Sequence, residues 1–198
     1  MDIIKKISEE IGCRTSQTEA AVKLIDEGNT IPFIARYRKE ATGALNDEQL
    51  RTLHERLTYL RNLEDKKAQV IASIEEQGKL TPELRAEIEA AETMVLVDDL
   101  YRPYRPKRKT RATVAKDKGL EGLANIISLQ MTSTPIRTEA EKYVSTEKGV
   151  ETVDDAISGA MDIIAENISD TADYRTKIRD LTTKKGFINT TAKDPDAE

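Results

Sequence analysis

Apolar residues return every three or four positions along most of this chain and almost never alternate with polar ones. Ile3, Ile4, Ile7 and Ile11 share one helical face, and Gly12 ends that run. Ser16-Gln17-Thr18-Glu19 has the form of a capping box, and the helix it opens carries Ala21, Leu24 and Ile25 as far as Gly28-Asn29. Pro32 predicts an extended Ile31 and then a short helix from Phe33 to about Ala41, stopped at Gly43. Three short helices with tight turns resemble a helix-turn-helix. From a cap at Asn46 to Gly78 neither Gly nor Pro occurs. Within that span Leu50, Leu53, Leu57 and Leu60 form an a/d seam, which lapses at Glu64 and Lys67 and resumes at Ile71 and Ile74. This predicts one long spine helix over about residues 46–77, on which other helices lean.

The second half is more broken. Thr81-Pro82-Glu83 places a cap, an N1 proline and a first-turn acid where a helix start wants them, and Met94 to Leu100 continue helical. Gly119 to Met131 predicts an apolar helix, and Thr134-Pro135 breaks it. Thr152-x-x-Asp155 caps a helix whose Val153, Ala156, Ile157, Ala160, Met161, Ile164 and Ile168 form a stripe, with the opposite face acidic and turned towards solvent or a partner. A last helix runs through Tyr174, Ile178 and Leu181 to Gly186. The expected fold is all-α, multi-helical and elongated. Its parts are a helix-turn-helix-like stretch over 1–43, a helical region over 44–186 and a polar tail over 187–198.

Composition agrees with that reading. Charged residues make up 34% of 198 residues, while Gly is 9 and Pro 6, too few for a fold that turns every ten residues. Cys13 is the single cysteine, which excludes an intramolecular disulfide and fits a reducing compartment. No apolar run approaches the roughly 20 residues that span a bilayer, and the N-terminus has no signal-peptide pattern, so a soluble cytoplasmic protein without membrane partners is expected. Encoded chemistry is sparse. His54 is the lone histidine and Cys13 has no histidine partner, so neither zinc spacing nor an activated nucleophile is present. No phosphate-cradling glycine motif occurs. The pairs Asp98-Asp99 and Asp154-Asp155 point about 100° apart on a helix and do not converge on a metal. No catalytic residue, metal or cofactor is expected, and the chain reads as a non-enzyme.

One window stands out against a net charge of −5. YRPYRPKRKTR, residues 101–111, holds Arg102, Arg105, Lys107, Arg108, Lys109 and Arg111 and no acid. Each proline biases the preceding arginine towards extended backbone, and in polyproline II geometry Tyr101 and Tyr104 share one edge while Arg102 and Arg105 share another. Two readings fit this basic strap. Its cations follow a phosphate backbone while the tyrosines stack on bases. Alternatively the tyrosines are anchors and the cations face an acidic surface of the same protein.

TIPFIARYRKEATGALNDEQL (30–50), EEQGKLTPEL (75–84), DLYRPYRPKRKTRATVAKDKGLEGLA (99–124) and DAISGAMDIIAENISD (155–170) together resemble the N-terminal region of the bacterial Tex proteins, transcription accessory proteins. The resemblance implies a helical piece of a longer cytoplasmic protein that continues into a ribonuclease-H-like domain, helix-hairpin-helix modules and a C-terminal S1 RNA-binding domain. It implies nucleic acid, the remaining domains and the transcription machinery as partners, with only weak nucleic-acid affinity in this piece. It supplies no catalytic residue.

Two functions compete. The first is a non-catalytic scaffold and interaction region, with residues 102–111 as a nucleic-acid-binding or domain-docking surface. The alternative is a sequence-reading, DNA-binding helix-turn-helix module that presents Arg36, Arg38 and Lys39 from residues 33–41 to a major groove.

Overall fold

The computed structural model describes residues 2–106 and 109–191. The polar tail expected over 187–198 is therefore described only to residue 191. The described residues form helices and turns with no strand; their one β-type pairing is the bridge between Ser145 and Val150. The chain divides into two compact units, the first ending at Val97 and the second beginning at Asp98.

In the first unit, α1 (Ile3–Ile11) closes at Gly12, whose φ of 73° is a left-handed conformation that favours glycine. The next helix, α2 (Thr15–Asp26), starts one residue before the expected Ser16 cap. Arg14 is its N-cap and has no acceptor to offer, so Gln17 supplies the contact by accepting from the Arg14 backbone N–H at 3.1 Å. Ser16 is thus already inside the helix. Next, α3 (Ile31–Tyr37) includes Ile31 and Pro32 in its first turn, where a missing N–H costs nothing, and it ends at Tyr37 rather than near Ala41.

The long helix α4 (Asp47–Glu76) has 30 residues, with Asn46 and Gln49 forming a reciprocal capping box. Its buried seam is Leu50, Leu53, Leu57, Leu60, Leu63, Lys67, Val70 and Ile74, so it does not lapse where the apolar pattern does. Lys67 occupies a core position because α5 (Pro82–Ala90) runs back along α4 and leaves C-terminal carbonyls to satisfy. The Lys67 ammonium donates to the Glu89 carbonyl and to Glu64 Oε1, both at 2.8 Å. Helices α1, α2, α3 and α5 all pack on α4. Bidentate pairs fix two of them, Arg56 to Glu10 of α1 and Arg61 to Asp26 of α2. The hydrogen bonds from these guanidiniums hold the carboxyls of Glu10 and Asp26 below their ordinary range.

Helix α6 (Met94–Tyr101) follows, and the division between the units falls inside it. Pro103 cannot donate to the preceding turn, and the chain tightens into a 3-10 turn over Arg102–Tyr104. The polyproline geometry expected for both Tyr-Arg-Pro triplets is thus absent from the first. Arg105, before Pro106, is extended (φ −64°, ψ 132°) as pre-proline sterics favour.

The second unit contains two helices that the apolar pattern does not announce, α7 (Arg111–Asp117) and α9 (Ile136–Glu141). The expected helix over Gly119 to Met131 is shorter, α8 (Glu121–Leu129), because Gly119 and Gln130 both take positive φ. These three pack on α10 (Val153–Asp170), capped at Thr152 as expected, and α11 (Ala172–Lys185) follows. The core is built from small residues: Ala112, Ala115, Ala124, Ala140, Ala156 and Ala160 surround Leu120, Leu123 and Ile163. Small side chains let helix axes approach closely. At Gly159 there is no room for a Cβ, which would lie against Leu120 Cδ1 and 3.3 Å from the Ala115 methyl.

The buried face of α10 is rotated from the expected stripe. Ala156, Ala160 and Ile163 are its centre, Val153, Ile157 and Ile164 flank it, and Met161 and Ile168 are exposed. On α11, Tyr174, Ile178 and Leu181 are likewise exposed. What holds α11 instead is Asp99 of α6, which accepts from Arg175 Nε and Arg179 Nη2, each at 2.6 Å.

Candidate functional site

The rotation of α10 decides where the strap's arginines go. Asp162, Glu166 and Asp170 stand four residues apart, so they form one row along the helix about 6 Å apart per step. That row faces the strap. Arg102 Nε donates to Asp170 Oδ1 at 2.9 Å, and Arg111 Nη2 lies 3.4 Å from Asp162 Oδ1. Between them Glu166 accepts from the Thr110 hydroxyl at 3.0 Å, and Lys116 approaches its other oxygen at 4.0 Å. Thr110 is also the N-cap of α7, with Oγ1 accepting from the Thr113 N–H at 3.0 Å. Arg105 pairs outside that row: Nη2 donates to Asp98 Oδ1 at 2.8 Å and the guanidinium sits 5.5 Å from the Tyr101 ring centroid. Tyr101 and Tyr104 are half-buried.

Between the strap and α10 lies a cleft of about 460 Å³. Arg102, Arg105 and Arg111 line it together with Asp162, Glu166 and Asp170, so opposite charges meet within the same hollow. Charge compensation of this kind lowers the potential available to an incoming phosphate. Of the strap's cations, Lys109 is exposed and in no ion pair among the described residues. Lys107 and Arg108 lie outside the described residues.

The alternative cluster has a different environment. Arg36 is in the last turn of α3, Arg38 is its C-cap and Lys39 follows in a turn, so the latter two are not on a helix. All three are exposed, and none makes an ion pair among the described residues. Beside them Phe33 and Tyr37 form a tilted aromatic pair with ring centroids 5.3 Å apart and planes 46° to each other, and the Arg38 guanidinium lies 5.7 Å from the Phe33 centroid.

The remaining candidates carry structural contacts. Asp98 and Asp99 meet arginines, Asp154 pairs with Arg137 at 3.0 Å, and Asp155 accepts from the Thr152 N–H at 3.0 Å. His54 is exposed on α4, and Cys13 Sγ lies 3.2 Å from the Thr18 hydroxyl. Among the described residues no group of three His, Cys, Asp or Glu is placed to hold a metal ion, and no helix is long and apolar enough to cross a membrane.

Known proteins carry the same sequence pattern. Residues 1–75 match the family model for the Tex-like protein N-terminal domain, and residues 131–198 match that for the Tex central region-like family. The chain belongs to the Tex family. It is 47% identical over 186 residues to Protein tex of Bordetella pertussis, covering 94% of this chain and 23% of that protein. It is 44% identical over 190 residues to Transcriptional accessory protein Tex of Neisseria gonorrhoeae, covering 96% and 25%. A more distant relative, S1 RNA-binding domain-containing protein 1 of Homo sapiens, is 29% identical over 186 residues, covering 93% and 18%. The chain thus spans about a quarter of the length of the curated bacterial Tex relatives it matches.

Proposed function

We propose that this Tex region is a non-catalytic helical scaffold within a cytoplasmic, nucleic-acid-associated transcription accessory protein, and that its basic strap works inward as a clamp. The observation that carries this reading is the pairing of Arg102, Arg105 and Arg111 with Asp170, Asp98 and Asp162. Nucleic-acid association rests on the relatives, one named a transcriptional accessory protein and one named for an S1 RNA-binding domain. The exposed Tyr174, Ile178 and Leu181 of α11 give the rest of a longer polypeptide an apolar face to rest on. The transcription machinery fits the same scaffold role as a partner.

A charge swap tests the clamp. Arg102→Asp alone lowers stability, and adding Asp170→Arg restores most of the loss. The expected coupling is about 1 kcal/mol, because Arg102 is partly solvated and surface pairs are worth little. Denaturant titration of the four proteins of the cycle measures it. A strap that serves phosphate behaves otherwise: Arg102→Asp weakens oligonucleotide binding, and Asp170→Arg does not rescue stability.

A further inference from the structure

The strap's described arginines are spent on acids of their own unit, whereas the cations at the end of α3 are not. We propose that the patch formed by Phe33, Arg36, Tyr37, Arg38 and Lys39 binds single-stranded nucleic acid, stacking bases on Tyr37 and holding phosphates with the three cations. The proposal deepens the nucleic-acid association above by naming a site and a ligand class, and it rests on that association but not on the strap's clamp.

Four observations meet at this patch. The first is charge: Arg36, Arg38 and Lys39 stand beside a single acid, Glu40, around a shallow hollow of about 360 Å³. The second is exposed aromatic surface, since Tyr37 is 69% exposed and Phe33 38%, and Ile34 between them is fully buried as the anchor. An aromatic ring left in water beside unpaired cations is the arrangement that sequence-tolerant single-strand binders use. The third is rigidity. The Arg38 and Lys39 carbonyls accept from the buried Thr42 hydroxyl, each at 3.3 Å, and the Lys39 carbonyl also accepts from the Ala44 N–H at 2.7 Å. Gln17 of α2 then pins the far side of the turn by donating to the Gly43 carbonyl at 2.7 Å and the Thr42 carbonyl at 3.3 Å. A turn tied at both sides presents its cations with little backbone left to order at binding.

The fourth observation separates single strands from duplex. A groove-reading helix contacts bases through its N-terminal residues. Here the N-terminal turn is Ile31-Pro32-Phe33, and the cations gather at and beyond the C-terminus. That geometry offers a platform with a stacking ring and a charged rim, and it has no helix end to insert.

Fluorescence anisotropy with a short labelled oligouridylate, an oligothymidylate of equal length and a duplex of the same sequence length tests the proposal on the 198-residue chain. Wild type binds both single strands, and the duplex more weakly. Arg36→Gln/Arg38→Gln/Lys39→Gln lowers single-strand affinity more than tenfold and flattens the slope of log K against log salt by about 2, since each phosphate no longer neutralised removes about 0.7. Tyr37→Ala costs about 5- to 150-fold, Tyr37→Phe restores binding because the ring is kept, and melting temperatures stay unchanged throughout. Wild-type binding that survives the triple substitution overturns this site and moves binding elsewhere on the chain; absence of binding to any oligonucleotide overturns the site and leaves the association to the rest of the longer protein. Stronger duplex binding indifferent to Tyr37→Ala assigns the patch to groove reading, and polyglutamate displacing the oligonucleotide at equal charge concentration assigns it to an acidic protein; either result contradicts the proposal.

Discussion

Ile163→Asp is expected to cost at least about 4 kcal/mol, whereas Met161→Asp, two residues away on the same helix, changes stability by less than about 1 kcal/mol. Ile163 is 1% exposed at the centre of the alanine-rich core of the second unit. Its replacement removes packing against small residues that cannot reach across the gap, and it leaves a carboxylate with no partner. Met161 is 60% exposed and its replacement is solvated. The first loss consumes much of the roughly 5 to 15 kcal/mol that ordinarily holds a domain together, so the second unit's helices should melt early. Urea titration followed by circular dichroism measures both. A larger cost at Met161 than at Ile163 would mean that α10 sits in the rotation its apolar stripe alone suggests.

The second large effect is at Asp99. Its side chain is nearly buried and serves two arginines of α11 at once. Asp99→Ala should cost about 2 to 4 kcal/mol, moderated because Arg175 and Arg179 keep part of their hydration. The pH dependence follows from the carboxyl's environment. Burial pushes its pKa up, but the hydrogen bonds from Arg175 and Arg179 outweigh that and hold it below the ordinary value. A depressed folded-state pKa means the stabilisation is complete above the unfolded value of about 3.9 and is lost as pH falls through the lower, folded one. The stability difference between wild type and Asp99→Ala is therefore flat from neutral pH to about pH 5 and shrinks below about pH 4. A difference that grew on acidification would contradict the assignment.

The all-α class and most helix boundaries were legible because their signals are local. Asn46, Thr81 and Thr152 each cap the helix the sequence assigns them, and Gly12 ends α1 as its backbone freedom suggests. The failures have tertiary causes. Lys67 looked like a break in the α4 seam because nothing nearby announces that a carbonyl of α5 will need its ammonium. Helix α7 begins on the last residue of the basic strap and gives little apolar signal of its own, since Thr110 becomes a cap only where the chain turns. On α10 the apolar pattern placed Met161 inside and omitted Ile163, because Ala156 and Ala160 mark the buried face more faintly than larger side chains would. The row Asp162, Glu166 and Asp170 was visible as acids at i, i+4 and i+8; what could not be seen was that the strap, dozens of residues earlier, faces it. The difference between the paired strap and the unpaired patch at Arg36, Arg38 and Lys39 likewise appears only in three dimensions.

The central claim, that the strap's arginines clamp their own unit rather than hold nucleic acid, is tested most directly by the salt dependence of single-strand binding in Arg102→Gln/Arg105→Gln/Arg111→Gln. The clamp predicts a slope of log K against log salt equal to that of wild type, together with a lowered unfolding midpoint. A slope reduced by about 2, with the midpoint unchanged, would show that those three cations contact phosphates and would contradict it.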